Sequence, residues 1–233
     1  MRLPFLIFLQ TIIFSSGCSQ TTDKIDSISK SKIKDYENKV LYYSKAISLD
    51  SNNYMLFYEK ANAEYELKDF KNALTDYNKS IKLNSKNVNA FNNRGNTKRN
   101  LNDYYGAIDD ASKAIELDSA FSMAYNNRGI SKRILKDYDG ALEDHLKAIE
   151  LNPLDPMPYT NIGNLKATLE DYNGAIEFYT KAIKIDPNDG FAFSNRGRAY
   201  FLTKDMTRAC SDFKKARDLG IKLAEKMIEL YCK

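Results

Sequence analysis

The chain predicts an all-α solenoid of antiparallel helix pairs, and three regularities predict it. First, a Lys-small-Ile phrase recurs at Lys45-Ala46-Ile47, Lys79-Ser80-Ile81, Lys113-Ala114-Ile115, Lys147-Ala148-Ile149 and Lys181-Ala182-Ile183, and its register continues at Lys215-Ala216-Arg217, so the small residue falls every 34 positions. Second, each period holds an aromatic (Phe57, Phe91, Tyr125, Tyr159, Phe193), then a glycine or alanine (Ala61, Gly95, Gly129, Gly163, Gly197), then an alanine (Ala73, Ala107, Ala141, Ala175, Ala209). Third, an aspartate divides every period: Asp69, Asp103, Asp137, Asp171 and Asp205. A fixed period of this length is the mark of stacked helix pairs. Small residues at fixed places let helices approach closely, the aromatics fill the space between them, and an aspartate can accept the orphan amide hydrogens of the helix it opens.

Taken in order, the elements begin with residues 1–17. Arg2 precedes an apolar run over residues 3–14 that ends in Ser15-Ser16-Gly17-Cys18. This is too short to span a membrane and predicts a secretory signal peptide. A cysteine directly after small residues resembles the lipobox of bacterial lipoproteins, although Ser15 stands where leucine is usual. The resemblance implies cleavage before Cys18, lipidation of its thiol and, with serine at position 19, an outer-membrane-anchored lipoprotein; without lipidation the chain would be secreted or periplasmic. Residues 18–32 are rich in Ser, Thr, Lys and Asp and predict a flexible tether, with Ile25, Ile28 and Ile33 leaving a poor helix open. Residues 33–53 match the second half of a repeat whose first helix has decayed, which suits an N-terminal cap.

Five full periods follow: residues 54–87, 88–121, 122–155, 156–189 and 190–223. Within them stand Tyr125-Asn126-Asn127-Arg128-Gly129, Asp137-Tyr138-Asp139-Gly140-Ala141 and Lys147-Ala148-Ile149-Glu150-Leu151-Asn152-Pro153. These phrases resemble the tetratricopeptide repeat (TPR) family in its Asn-Xaa-Arg-Gly form. The resemblance implies a right-handed superhelix whose first helices line a concave inner wall, and a protein-binding scaffold rather than an enzyme. Pro156 and Pro158 predict an irregular entry to the fourth repeat. Residues 221–233 predict a C-terminal capping helix. Cys210 and Cys232 either pair in an oxidising compartment or remain two separate buried thiols.

Two columns depart from the family together. Repeat position 7, usually leucine, is Lys60, Arg94, Arg128, Ile162 and Arg196; position 23 is Asp76, Asp110, Asp144, Phe178 and Asp212. Where the cation becomes Ile the anion becomes Phe, so the two positions are predicted to meet as an ion pair between the helices of each repeat. These cations are thereby removed from the candidates for ligand contact.

Candidate peptide-binding residues lie on the inner wall. Position 6 carries Asn93, Asn127, Asn161 and Asn195 in the last four repeats and Glu59 in the first. One amide per repeat makes a ladder with donors and acceptors suited to an extended peptide backbone, or to the backbone of the neighbouring repeat. Asn62 and Asn96 stand beside it, with Arg99 and Arg133 at position 12; with Lys98, Lys132 and Lys136 near them they form a basic stretch that suits an acidic segment or is simply solvated. The cationic clamp that some tetratricopeptide proteins use for chaperone tails is absent, since its positions hold Tyr58, Asn62, Met123 and Asn127.

The rest narrows the function. With 43% hydrophobic and 28% charged residues the chain has an ordinary globular composition, and five repeats exceed the three or so that a solenoid needs. A net charge of +4 is too small for a nucleic-acid partner. One histidine, His145, and no Cys-Xaa-Xaa-Cys exclude a structural zinc site, and His145 sits in a packing position. No catalytic motif, cofactor or small-molecule substrate is evident. The expectation is a non-catalytic scaffold at the bacterial cell envelope that binds a protein or peptide in the groove and is held to the membrane by its lipid anchor. The alternative is a self-associating structural subunit or a cell-wall-binding accessory module of an envelope enzyme complex.

Overall fold

The computed structural model describes residues 19–232, so the signal-peptide and Cys18 expectations lie outside the described residues. Among the described residues there are twelve helices and no strand. A long helix α1 (Ser19–Leu49) is followed by five pairs: α2 (Tyr54–Glu66) with α3 (Phe70–Leu83), α4 (Val88–Asn100) with α5 (Tyr104–Leu117), α6 (Ser122–Ile134) with α7 (Tyr138–Leu151), α8 (Pro156–Thr168) with α9 (Tyr172–Ile185), and α10 (Gly190–Leu202) with α11 (Met206–Asp218). Helix α12 (Lys222–Tyr231) closes the array. Each second helix packs on its own first helix and on the first helix of the next pair, which is the solenoid order.

Capping fixes where the helices start. The side chains of Asp69, Asp103, Asp137, Asp171 and Asp205 accept from the backbone N–H groups of Asn72, Gly106, Gly140, Gly174 and Arg208. One residue earlier, Lys68, Asn102, Lys136, Glu170 and Lys204 all take φ of 61° to 66°, so a single left-handed residue turns the chain back between the two helices. Asn53, Asn87, Asp155 and Asp189 cap first helices in the same way.

Two expectations are corrected. Residues 18–32 were expected as a flexible tether, yet from Ser19 they run into α1 without a break; the sequence has no glycine or proline between Ser19 and Leu49 to stop a helix. The fourth repeat enters regularly despite Pro156 and Pro158. Both prolines lie in the first turn, where no intrahelical bond uses their missing N–H, and Asp155 caps that turn through Met157 N at 2.9 Å.

The core is built on small residues where helices cross. Ala73, Ala141, Ala175 and Ala209 and, about two turns on, Ser80, Ala114, Ala148, Ala182 and Ala216 are completely buried. Rings from the second helices, Tyr77, Tyr179 and Phe213 together with His145, fill the remaining space and are likewise buried. At the C-terminal end Ala216, Phe213 and Tyr200 form one cluster with Ile221, Met227 and Ile228 of the cap. Cys210 and Cys232 are joined by a disulfide, which ties the end of α12 to α11.

Candidate functional site

The first helices α2, α4, α6, α8 and α10 lie side by side, and their outward positions form the inner wall. Its asparagines bond one another from repeat to repeat. Asn93 Nδ2 donates to Asn62 Oδ1 at 3.0 Å and to the Tyr58 hydroxyl at 3.2 Å. Asn127 Nδ2 donates to Asn92 Oδ1 at 2.8 Å, Asn161 Nδ2 to Asn126 Oδ1 at 2.9 Å, and Asn195 Nδ2 to Asn164 Oδ1 at 3.1 Å. Tyr77 and Tyr179 hydroxyls donate to Asn62 and Asn164, and His145 Nδ1 lies 3.0 Å from Asn126 Oδ1. The ladder therefore commits one Nδ2 N–H of Asn127, Asn161 and Asn195, and both of Asn93, to side chains of the preceding repeat. Among the described residues no donor reaches the side-chain Oδ1 atoms of Asn127, Asn161 and Asn195, which remain as acceptors along the wall. Asn96 Oδ1 is buried without a donor.

Position 7 and position 23 meet as expected. Lys60 Nζ lies 2.6 Å from Asp76 Oδ2; Arg94, Arg128 and Arg196 each grip Asp110, Asp144 and Asp212 through Nε and Nη2 at 2.5 to 2.9 Å. Sequence reasoning missed a further contact: the Nη1 of each arginine donates back to the second helix of the preceding repeat, at Asn78, Ser112 and Thr180. One guanidinium thus joins three helices, including a neighbour's. The signal was present, because the residue at that place before Ile162 is Leu146.

Two members of the expected basic stretch belong to the same scaffold. Lys98 Nζ is 2.9 Å from Asp110 and Lys132 Nζ is 2.9 Å from Asp144, each also reaching a backbone carbonyl at the start of the second helix. They do not face the groove as free cations.

Arg99 and Arg133 are different. Both are half-buried on the wall, and among the described residues neither has an acidic partner. Arg99 Nη1 and Arg133 Nε are buried without an acceptor. Burial pushes the Arg99 guanidinium below its ordinary value, with no carboxylate beside it to oppose the shift. Arg133 and the exposed Arg198 line one cavity of about 420 Å³, with Asn164, Asn195 and Tyr179 in its wall. Unpaired guanidinium groups with unused donors can take a carboxylate. Among the described residues no group of His, Cys, Asp and Glu is arranged to hold a metal ion.

Models of the tetratricopeptide repeat match residues 122–154 and 157–189, a TPR repeat model matches residues 61–100, and a further tetratricopeptide repeat model matches residues 88–121. No curated protein matches the chain with significance. Among solved structures, MamA is 27% identical, with a TM-score of 0.58, covering 71% of this chain and 96% of MamA. A tetratricopeptide repeat protein from Parabacteroides merdae is 22% identical, with a TM-score of 0.72, covering 86% of this chain and 79% of its own. YrrB, described as a TPR protein with an unusual peptide-binding site, is 23% identical, with a TM-score of 0.55, covering 80% of this chain and 97% of YrrB. Family models over more than half of the residues agree with the helix pairs of the solenoid, and the chain belongs to the tetratricopeptide repeat family.

Proposed function

We propose that the chain is a non-catalytic scaffold of the Asn-Xaa-Arg-Gly type that holds an extended peptide segment along its inner wall, recognising an acidic side chain or a terminal carboxylate, at the bacterial cell envelope. The family typically mediates protein–protein interaction and its fold is typically non-catalytic. The observation that carries the reading is the set of guanidinium groups at Arg99, Arg133 and Arg198, which lack acidic partners among the described residues. A half-buried cation without a counter-charge, as at Arg99 and Arg133, carries a desolvation cost that a ligand carboxylate offsets. The free side-chain Oδ1 atoms of Asn127, Asn161 and Asn195 add acceptors for peptide N–H groups, while the ladder bonds keep the wall rigid before binding.

The envelope part of the proposal is supported by Arg2, the apolar residues 3–14 and Cys18, and by the Cys210–Cys232 disulfide, a bond that persists in oxidising compartments. A randomised peptide library displayed against the full-length chain tests the binding. Enrichment of acidic residues or free carboxylates is expected, and is lost with Arg99→Ala, Arg133→Ala and Arg198→Ala combined while the melting temperature holds. Peptides without acidic bias, or equal binding to the variant, would overturn it. Expression of Cys18→Ala tests the anchor: the chain is expected to leave the membrane fraction, and an unchanged fraction contradicts lipidation.

A further inference from the structure

The first repeat gives the inner wall an end of opposite character. A cavity of about 460 Å³ opens between α1, α2 and α4, walled by the rings of Tyr36, Tyr43 and Tyr65 and by Glu59 and Glu66. Glu59 occupies the ladder position that is asparagine in the four later repeats, so a carboxylate replaces an amide only where this cavity lies. Its polar contact is Asn62 Nδ2 at 3.4 Å, and among the described residues neither Glu59 nor Glu66 has a cationic partner.

Among the described residues the cation lining the cavity is Lys39, whose ammonium lies 2.7 Å from Asp35 in an exposed ion pair and 5.1 Å above the Tyr36 ring. That pair is electrically neutral and leaves the two glutamates uncompensated. Asn96, on the same wall, holds a buried side-chain Oδ1 that no donor reaches. Aromatic faces attract cations through their quadrupole, carboxylates attract them directly, and the orphan oxygen needs an N–H. A carboxylate or phosphate here would face two like charges, and an apolar group would leave the polar atoms unpaired.

We propose that this cavity is a subsite for an ammonium or guanidinium group of the bound segment: a lysine or arginine side chain, or a free N-terminal amine. The inference rests on the groove-binding reading above and adds a direction to it. The cationic end of the segment lies at the first repeat, and its acidic part lies toward Arg133 and Arg198. Rim charges that differ in sign along a groove set orientation and discriminate against reversed ligands.

The test starts from the peptide most enriched by the full-length chain. It is synthesised with its Lys or Arg replaced by norleucine, with its N-terminus acetylated, and with both changes. Binding is read by fluorescence anisotropy on wild type, on Glu59→Gln with Glu66→Gln, and on Arg133→Ala with Arg198→Ala. On wild type, removing the cation weakens binding about tenfold, and which of the two single changes does so tells side chain from terminal amine. On the glutamine variant the same removal changes binding less than about twofold. A second variant, Tyr36→Leu with Tyr43→Leu, keeps both carboxylates and is expected to lose affinity only for peptides that carry the cation. Selected peptides without a cation, or equal effects of its removal on wild type and the glutamine variant, overturn the subsite. If the arginine variant loses binding while the glutamine variant does not, the subsite alone falls. If no acidic bias or no binder emerges, the groove reading falls with it.

Discussion

Arg128 and Asp144, sixteen residues apart on α6 and α7, form a two-point pair: Nε to Oδ2 at 2.9 Å and Nη2 to Oδ1 at 2.7 Å. Asp144 is 2% exposed and also holds Lys132 at 2.9 Å, whereas Arg128 donates through its third nitrogen, Nη1, to Ser112 of the preceding repeat. The loss is therefore asymmetric. Asp144→Leu strands two cations and is expected to cost about 3–4 kcal/mol; Arg128→Leu leaves Asp144 with Lys132 and costs about 2 kcal/mol. Arg128→Leu combined with Asp144→Leu costs less than the sum of the single changes, as the Ile162 and Phe178 combination of the fourth repeat suggests. Urea unfolding of the three variants gives the coupling energy, and additive losses would contradict the pairing.

Gly163 and Gly95 occupy the same place in the first helices of the fourth and second repeats, but different neighbours make their substitution unequal. A Cβ at Gly163 would lie 2.5 Å from the Tyr179 ring, which is buried and tied through its hydroxyl to Asn164. In the second repeat Ala111 takes the place of Tyr179, and the nearest atom to a Cβ at Gly95 would be the Ala107 carbonyl oxygen at 3.2 Å. Gly163→Ala is expected to destabilise by about 2 kcal/mol through overpacking. Gly95→Ala stays within roughly 0.5 kcal/mol, since its small steric cost is offset by helix propensity. Chemical denaturation of both variants reads the difference directly.

The disulfide between Cys210 and Cys232 acts at one end of a quasi-linear array, so its loss should be local. Cys210→Ser with Cys232→Ser is expected to cost about 3 kcal/mol, the loop-closure contribution for a loop of this size. Hydrogen exchange of the variant should show faster opening of α12, while amides of α6 and α8 keep their protection. Uniform loss of protection along the chain would show instead that the cap stabilises the whole solenoid.

The repeat architecture was legible because its causes are local and periodic. Aspartate caps, small residues at crossing points and the Lys-small-Ile phrase recur at one interval, and the helix starts Tyr54, Val88, Ser122, Pro156 and Gly190 recur at the same one. The pairing of Arg128 with Asp144 was legible from the correlated change to Ile162 and Phe178. The fate of the basic stretch was not. Lys98 with Arg99, and Lys132 with Arg133, are adjacent in sequence, and only the rotation of the helix decides that the lysines turn to Asp110 and Asp144 while the arginines stay on the wall. The N-terminal cavity was hidden for another reason: it joins Tyr36 and Tyr43 of α1 to residues of α2 and α4, and the Lys45-Ala46-Ile47 phrase places α1 in the repeat register without showing which of its side chains line a space shared with α2 and α4.

His145 and Glu64 set opposite pH dependences that should be separable. Complete burial pushes His145 down to about 4, although Asp144 opposes the shift; its Nδ1 reaches Asn126, and no partner reaches Nε2. Unfolding releases the ring to an ordinary value near 6.5, so the unfolded chain binds the extra proton first. The stability associated with neutral His145 is complete above about pH 6.5 and is lost as the pH falls toward 4. Glu64 runs the other way: burial, reinforced by Asp76, raises it to about 7 against the pull of Lys60. Its contribution is complete below its unfolded value near 4.5 and is lost as the pH rises through 7. Between pH 4.5 and 6.5 the two largely cancel. His145→Phe, which copies Phe213 above Gly197, should therefore gain stability as the pH falls from 7 to 4.5, by roughly 2 kcal/mol. Glu64→Gln should lose a similar amount over the same interval. Urea unfolding of wild type and both variants at half-unit steps reads the slopes, and parallel slopes for the three proteins would contradict both assignments.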